Sequence, residues 1–74
     1  MNTNFSKRLN ATRREKGFTA LAVATELGIE LRSYRNYESG NREPSLATLV
    51  KLADLLEVST DYLLCRGEDL SDER

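Results

Sequence analysis

The chain has 74 residues, which is enough for one small domain and too few for a two-domain enzyme. Apolar residues make up 39% and charged residues 31%, so the composition is that of a folded domain rather than a disordered chain. The absence of histidine and the single cysteine, Cys65, exclude a catalytic histidine pair and an internal disulfide. The longest apolar run, Ala20 to Ala24, is far too short to cross a membrane.

The net charge of −1 hides an uneven distribution of charge along the chain. Residues 1–42 carry eight basic and four acidic side chains, whereas residues 43–74 carry three basic and eight acidic ones. Such a division suits a domain that turns a basic face towards a polyanion. Small soluble domains also acquire lopsided charge by chance, so both interpretations stay open at this point.

Five helices are predicted from apolar spacings of three and four and from residues that start or stop helices. Serine and threonine satisfy free amides at a helix start, and glycine adopts the left-handed conformation that ends a helix. The predicted helices are residues 4–16, 20–27, 31–39, 46–57 and 60–66, with stops at Gly17, Gly28, Gly40 and Gly67. We therefore expect a compact all-α, five-helix domain over residues 1–67, followed by an acidic, frayed tail over residues 68–74.

The second and third predicted helices form one unit, Thr19 to Glu38, in which Gly28 and Ile29 join the helices. Two short helices joined through a glycine have the spacing of a helix-turn-helix, whose second helix stands clear so that one face can enter the major groove. Many small helical bundles also contain such a pair. The spacing alone is therefore only moderately specific.

Longer stretches resemble the helix-turn-helix family of phage repressors and Cro proteins. The resemblance covers about residues 5–66 and is carried by Arg13 to Ile29, by Tyr37-Glu38-Ser39-Gly40-Asn41-Arg42-Glu43-Pro44-Ser45-Leu46 and by Val58-Ser59-Thr60-Asp61-Tyr62-Leu63-Leu64. It implies a compact repressor-like DNA-binding domain that binds operator DNA as a two-fold dimer. The helix after Gly28 would be the recognition helix.

Within the recognition helix, Tyr34 and Tyr37 share the predicted buried face. Arginine can bond guanine O6 and N7, and asparagine can bond adenine N6 and N7, so the opposite face carries the chemistry of base reading. The residues that match the family's base-reading positions are Leu31, Arg32, Ser33 and Asn36. The alternative is that the arginines merely solvate a surface helix.

The resemblance also implies three sets of residues with supporting roles. Phosphate contacts are expected at a helix N-terminus, whose free amides suit an anion, and near the following loop; the residues are Thr19, Ala20, Arg35, Asn41 and Arg42. Arg13 and Glu38 are expected to form a structural ion pair. The expected dimer interface comprises Glu57, Val58, Thr60, Tyr62 and Leu63; the alternative is that some of these residues close the core of the monomer instead.

Five positions depart from the family's usual pattern. Ala20 stands where glutamine is usual. Leu21 and Ala22 stand where polar or acidic residues are usual and make the second helix apolar nearly all round, as in a helix buried against a partner. Glu30 replaces a serine or threonine cap and is expected to weaken DNA binding. Thr12 occupies a position that is commonly apolar.

The sequence thus predicts a cytoplasmic, sequence-specific transcriptional regulator, a repressor that binds a palindromic DNA operator as a homodimer. The alternative is a protein-interaction module on the same fold, with Leu21 and Leu31 forming an apolar patch. An enzyme is not expected, because no acid-base pair or metal-ligand cluster occurs. We also expect no cofactor, no metal, no small-molecule ligand and no membrane association.

Overall fold

A computed structural model describes residues 3–66, so the tail predicted for residues 68–74 lies outside the described residues. Its helices are α1 (Thr3–Glu15), α2 (Ala20–Leu27), α3 (Leu31–Ser39), α4 (Leu46–Leu56) and α5 (Thr60–Leu63). No strand occurs within residues 3–66, and the predicted all-α, five-helix fold is confirmed. The bounds of α2 and α3 match the prediction. The other three helices end one to three residues earlier than predicted.

Three helices begin at the hydroxyl caps that the sequence predicts. Thr19 accepts a hydrogen bond from the amide of Ala22, Ser45 from the amide of Thr48, and Ser59 from the amide of Tyr62. Each of these bonds satisfies an amide that has no partner inside its own helix. The start of every one of these helices is therefore determined locally.

The helix ends follow the glycine prediction only in part. Gly28 and Gly40 end α2 and α3 in the left-handed conformation, with φ of 73° and 86°. By contrast, the last residue of α4 is Leu56, and the residue that follows it, Glu57, is a non-glycine residue in the left-handed conformation with φ of 59°. The chain also turns through a left-handed Cys65 before reaching Gly67, which lies outside the described residues. The predicted ends of α4 and α5 are therefore corrected to earlier residues.

The core draws side chains from all five helices. Its buried apolar members are Phe5, Leu9, Val23, Ala24, Leu27, Tyr34, Leu49, Leu52, Ala53, Leu56 and Leu63. Thr12 is also buried, and its hydroxyl has no hydrogen-bond partner among residues 3–66. The core thus contains one polar group that burial leaves unsatisfied.

The first helix is the element that holds α3 and α5 together, since it packs against both. At the α5 side, the Cys65 thiol lies 3.6 Å from the carbonyl oxygen of Asn4. The Arg8 guanidinium stacks 4.3 Å from the centre of the Tyr62 ring and donates a hydrogen bond to the Tyr62 carbonyl oxygen. No helix within residues 3–66 is long and apolar enough to cross a membrane.

Candidate nucleic-acid interface

One face of α3 is held against the body of the domain by two tyrosines. Tyr34 is fully buried, and its ring meets that of the partly buried Tyr37 edge to face, with 6.3 Å between the ring centres. Packing of this kind fixes the rotation of the helix about its own axis, because turning it would expose both rings. The residues opposite the tyrosines therefore have a defined outward direction.

The outward part of α3 carries the residues that the sequence singles out for base reading. Arg32 and Arg35 are exposed, while Leu31, Ser33 and Asn36 are half-buried. Arg32 and Asn36 are four residues apart and lie on one side of the helix. The structure thus places a guanidinium and a carboxamide on the same side of the outward surface of α3.

The end of α3 is fastened to α1 by a nearly buried carboxylate. Arg13 Nε donates to Glu38 Oε2 at 2.6 Å, and the two side chains are only 13% and 12% exposed. Arg13 Nη2 and Asn10 Nδ2 both donate to Glu38 Oε1, at 3.3 and 2.7 Å. The Tyr34 hydroxyl donates to Glu38 Oε2. The Glu38 carboxylate therefore has all its oxygens engaged.

Arg13 also reaches the segment that precedes α2. Its Nη1 donates to the carbonyl oxygen of Phe18 at 2.8 Å, one residue before the Thr19 cap. A single guanidinium thus joins α1, the start of α2 and the end of α3. The two elements that the sequence assigns to phosphate contact and base reading are positioned by the same side chain.

The electrostatics of this cluster favour charged forms of Arg13 and Glu38. Burial acts to raise the pKa of the Glu38 carboxyl, but hydrogen bonds from Arg13, Tyr34 and Asn10 outweigh it and hold that pKa below its ordinary value of 4.5. The hydrogen bond to Glu38 raises the pKa of Arg13. Burial, and then the hydrogen bond to Glu38, raises the pKa of the Tyr34 hydroxyl, which stays a donor.

The residues expected to contact phosphates lie at the start of α2 and beyond the end of α3. Thr19, Asn41 and Arg42 are exposed, and Ala20 is half-buried. The amides of Asn41 and Arg42 both donate to the carbonyl oxygen of Asn36. The loop after α3 is therefore anchored to α3 itself.

Glu30 stands at the start of α3 without a local role for its carboxylate. It is exposed, and as the N-cap of α3 it makes no side-chain capping hydrogen bond, unlike Thr19, Ser45 and Ser59. Its backbone carbonyl accepts from the amide of Tyr34. The backbone of Glu30 thus belongs to the helix, while its carboxylate faces solvent.

Leu21 and Leu63 lie at opposite extremes of exposure. Leu21 is 60% exposed, so this apolar side of α2 is uncovered in the monomer, as the interaction-module alternative requires. Leu63 is fully buried in the core and has no surface to offer a second copy. The expected dimer interface is corrected accordingly. Its remaining members, Glu57, Val58, Thr60 and Tyr62, keep exposed or half-buried positions.

Two residues of this framework were missed by sequence reasoning. Asn10 joins the Glu38 carboxylate from 28 positions away, and Arg8 reaches Tyr62 from 54 positions away. Nothing in the spacing of the sequence signals either contact.

Among residues 3–66, no group of three potential metal ligands occurs.

A helix-turn-helix family profile matches residues 9–63. The chain belongs to the helix-turn-helix family. It is 47% identical over 60 residues to the SPbeta prophage-derived HTH-type transcriptional regulator YonR of Bacillus subtilis. The aligned region covers 81% of this chain and 56% of YonR. It is 45% identical over 60 residues to the cryptic phage CTXphi transcriptional repressor RstR of Vibrio cholerae, covering 81% of this chain and 54% of RstR.

A solved structure resembles this helix-turn-helix protein along most of its length. The crystal structure of the restriction-modification controller protein C.AhdI from Aeromonas hydrophila matches with a TM-score of 0.76 and 30% identity. The match covers 82% of this chain and 92% of C.AhdI. The chain spans about half the length of YonR and RstR.

Proposed function

We propose that this protein is a sequence-specific transcriptional repressor that binds a palindromic DNA operator as a homodimer. The observation that carries the proposal is the outward face of α3, where Arg32 is exposed and Asn36 half-buried opposite the anchored Tyr34. Arginine and asparagine are the side chains that read guanine and adenine bidentately in the major groove. The similarity to the regulators YonR and RstR supports the same function.

In this function the domain has two kinds of DNA contact. Leu31, Arg32, Ser33 and Asn36 would meet base edges. The amides at Thr19 and Ala20, together with Arg35, Asn41 and Arg42, would hold phosphates and set the register of α3 in the groove. Occupation of an operator that overlaps a promoter would exclude RNA polymerase. This takes place in the cytoplasm of a bacterium or a phage-infected cell.

A homodimer is proposed because a short helix alone reads too few base pairs. Two copies related by a two-fold axis read half-sites about 34 Å apart, one helical turn of DNA. The proposed contact is the surface of Glu57, Val58, Thr60 and Tyr62. Sedimentation of the free protein and of its operator complex measures the stoichiometry, and one protein per operator would contradict this part of the proposal.

Selection from a random duplex library at two salt concentrations tests the proposal. The expected result is a palindromic motif with half-sites about one helical turn apart. Arg32→Ala should relax one motif position and lose about 1–3 kcal/mol, whereas Arg42→Ala should weaken all sequences alike and lower the salt slope by about one. Lys51→Ala on α4 removes the same charge away from α3 and serves as the control.

The alternative is a protein-interaction module with weak DNA binding. Leu21 is 60% exposed, as such a module would need, but a single exposed leucine is ordinary on a protein surface, so this alternative depends on Leu21 and Leu31 forming one patch. Enrichment of no sequence, with binding that disappears at moderate salt, would favour this alternative over the repressor.

A further inference from the structure

The start of the recognition helix carries a carboxylate that the fold does not use. Glu30 is the N-cap of α3, yet its side chain makes no capping hydrogen bond and is exposed to solvent. Other helix starts in residues 3–66 show what a cap does here, since Thr19 and Ser45 each accept from a backbone amide. The carboxylate of Glu30 is therefore available to a ligand of α3.

The four bases differ in whether their major-groove edges offer a hydrogen-bond donor to an ionised carboxylate. A carboxylate accepts hydrogen bonds and cannot donate one. Guanine presents N7 and O6, and thymine presents O4, all of which are acceptors. Adenine presents both an N7 acceptor and an N6 amino donor, and cytosine presents only the N4 amino donor. Of the four bases, cytosine is the one whose groove edge a carboxylate fits without repulsion.

Glu30 lies close enough to Arg32 to act on the same part of an operator. Glu30 is the N-cap of α3 and Arg32 is its second residue, so both lie at the N-terminal end of the helix, the part of a recognition helix that contacts base edges. Because residues two apart leave a helix in different directions, the two side chains reach different bases within one short stretch of the operator. Arg32 is suited to a guanine, whose partner in the base pair is itself a cytosine.

We propose that Glu30 is a specificity-determining residue that selects cytosine at or beside the guanine read by Arg32. The inference rests on the proposed function, because it takes α3 as the helix that enters the major groove. The carboxylate penalises sequences that present only acceptors, and the N4 amino group of cytosine relieves that penalty. Glu30 thus lowers affinity for most DNA while raising discrimination at one position.

The experiment compares library selections for the wild type, Glu30→Gln and Glu30→Ala. The wild type should enrich cytosine at one position, with a preference over guanine of at least about 5-fold, the lower end of a base-specific contact. Glu30→Gln should move that position towards adenine, because a glutamine amide bonds N6 and N7. Glu30→Ala should leave the position unselected, while the remaining positions of the motif stay as in the wild type.

Glu26→Gln is the matched control, since it removes the same charge from an exposed position on α2. It should change affinity for all sequences alike and leave the cytosine preference intact. Melting temperatures of all variants check that each is folded, because a negative charge at the start of α3 also favours its dipole.

Two other outcomes would overturn the inference in distinguishable ways. If Glu30→Gln and Glu30→Ala strengthen binding to every sequence equally, as Glu26→Gln does, Glu30 is only an electrostatic cost and the proposed function still stands. If the wild type itself enriches no sequence, the inference fails together with the proposed function.

Discussion

Replacement of Arg13 by methionine should destabilise the domain by about 3 kcal/mol, the lower end of what removal of one partner from a buried ion pair costs. Methionine keeps much of the side-chain volume but removes three donors, two to Glu38 and one to the carbonyl of Phe18. Asn10 and Tyr34 still donate to Glu38, which keeps the loss from being larger. The lost bond to the carbonyl oxygen of Phe18 accounts for about 1 kcal/mol of this total.

Such a loss is a large part of the stability that a domain of 74 residues has, which is about 4–11 kcal/mol at typical values per residue. At this size each kilocalorie per mole shifts the melting temperature by about 4–8 °C, so Arg13→Met should lower it by at least about 12 °C. Thermal and urea unfolding followed by circular dichroism measure the change. The base preference in a library selection should stay unchanged, because Arg13 faces the interior of the domain.

Arg14→Met is the matched control, because Arg14 is the exposed neighbour on the same helix. Its effect should stay within about 0.5 kcal/mol. The double variant Arg13→Met with Glu38→Leu should be more stable than Arg13→Met alone, since it leaves no buried charge without its partner. Equal melting temperatures for Arg13→Met and Arg14→Met would refute the view that this pair holds α3 in place.

Three further changes have expected outcomes. Thr12→Val should raise the free energy of unfolding by about 1 kcal/mol, because it removes a buried hydroxyl without a partner; Thr12→Ser, which keeps the hydroxyl, should not, as urea unfolding would show. Since the pKa of Glu38 lies below 4.5 in the folded state, its stabilising effect is complete above pH 4.5 and lost as the pH falls through the lower value. Below pH 4.5, the free energy of unfolding measured in urea should therefore fall more steeply with decreasing pH for the wild type than for Glu38→Gln. Glu57→Gly should raise the melting temperature by about 4–8 °C, because a left-handed residue with a side chain costs roughly 1 kcal/mol; a lower melting temperature would contradict this reason.

Local signals explain why α2 and α3 were predicted to the residue. A threonine cap precedes α2 and a glycine follows each helix, so three of the four ends are encoded by the residue at the boundary, while the start of α3 follows from its spacing after Gly28. The end of α4 was missed for the opposite reason. Glu57 adopts a left-handed conformation that glutamate seldom takes, so its residue type gives no signal that the helix stops before it.

Contacts between distant residues could be predicted only where the family resemblance supplied them. The resemblance suggested that Arg13 and Glu38 pair, and the structure contains that pair. Asn10 shares the same carboxylate, yet an asparagine on a helix carries no signal of its partner. The sequence did not decide whether Leu63 is buried or exposed, because a four-residue helix is too short to show which of its faces is apolar.

The contact between Cys65 and the backbone of Asn4 brings the two ends of the described chain to one point of the surface. Adjacent ends are what circular permutation requires, since a short linker can close them without disturbing either helix. The exposed stretch Asn41 to Glu43 is then a natural place for new termini. Cutting there would separate the unit of α2 and α3 from α4 in chain order while leaving every helix whole.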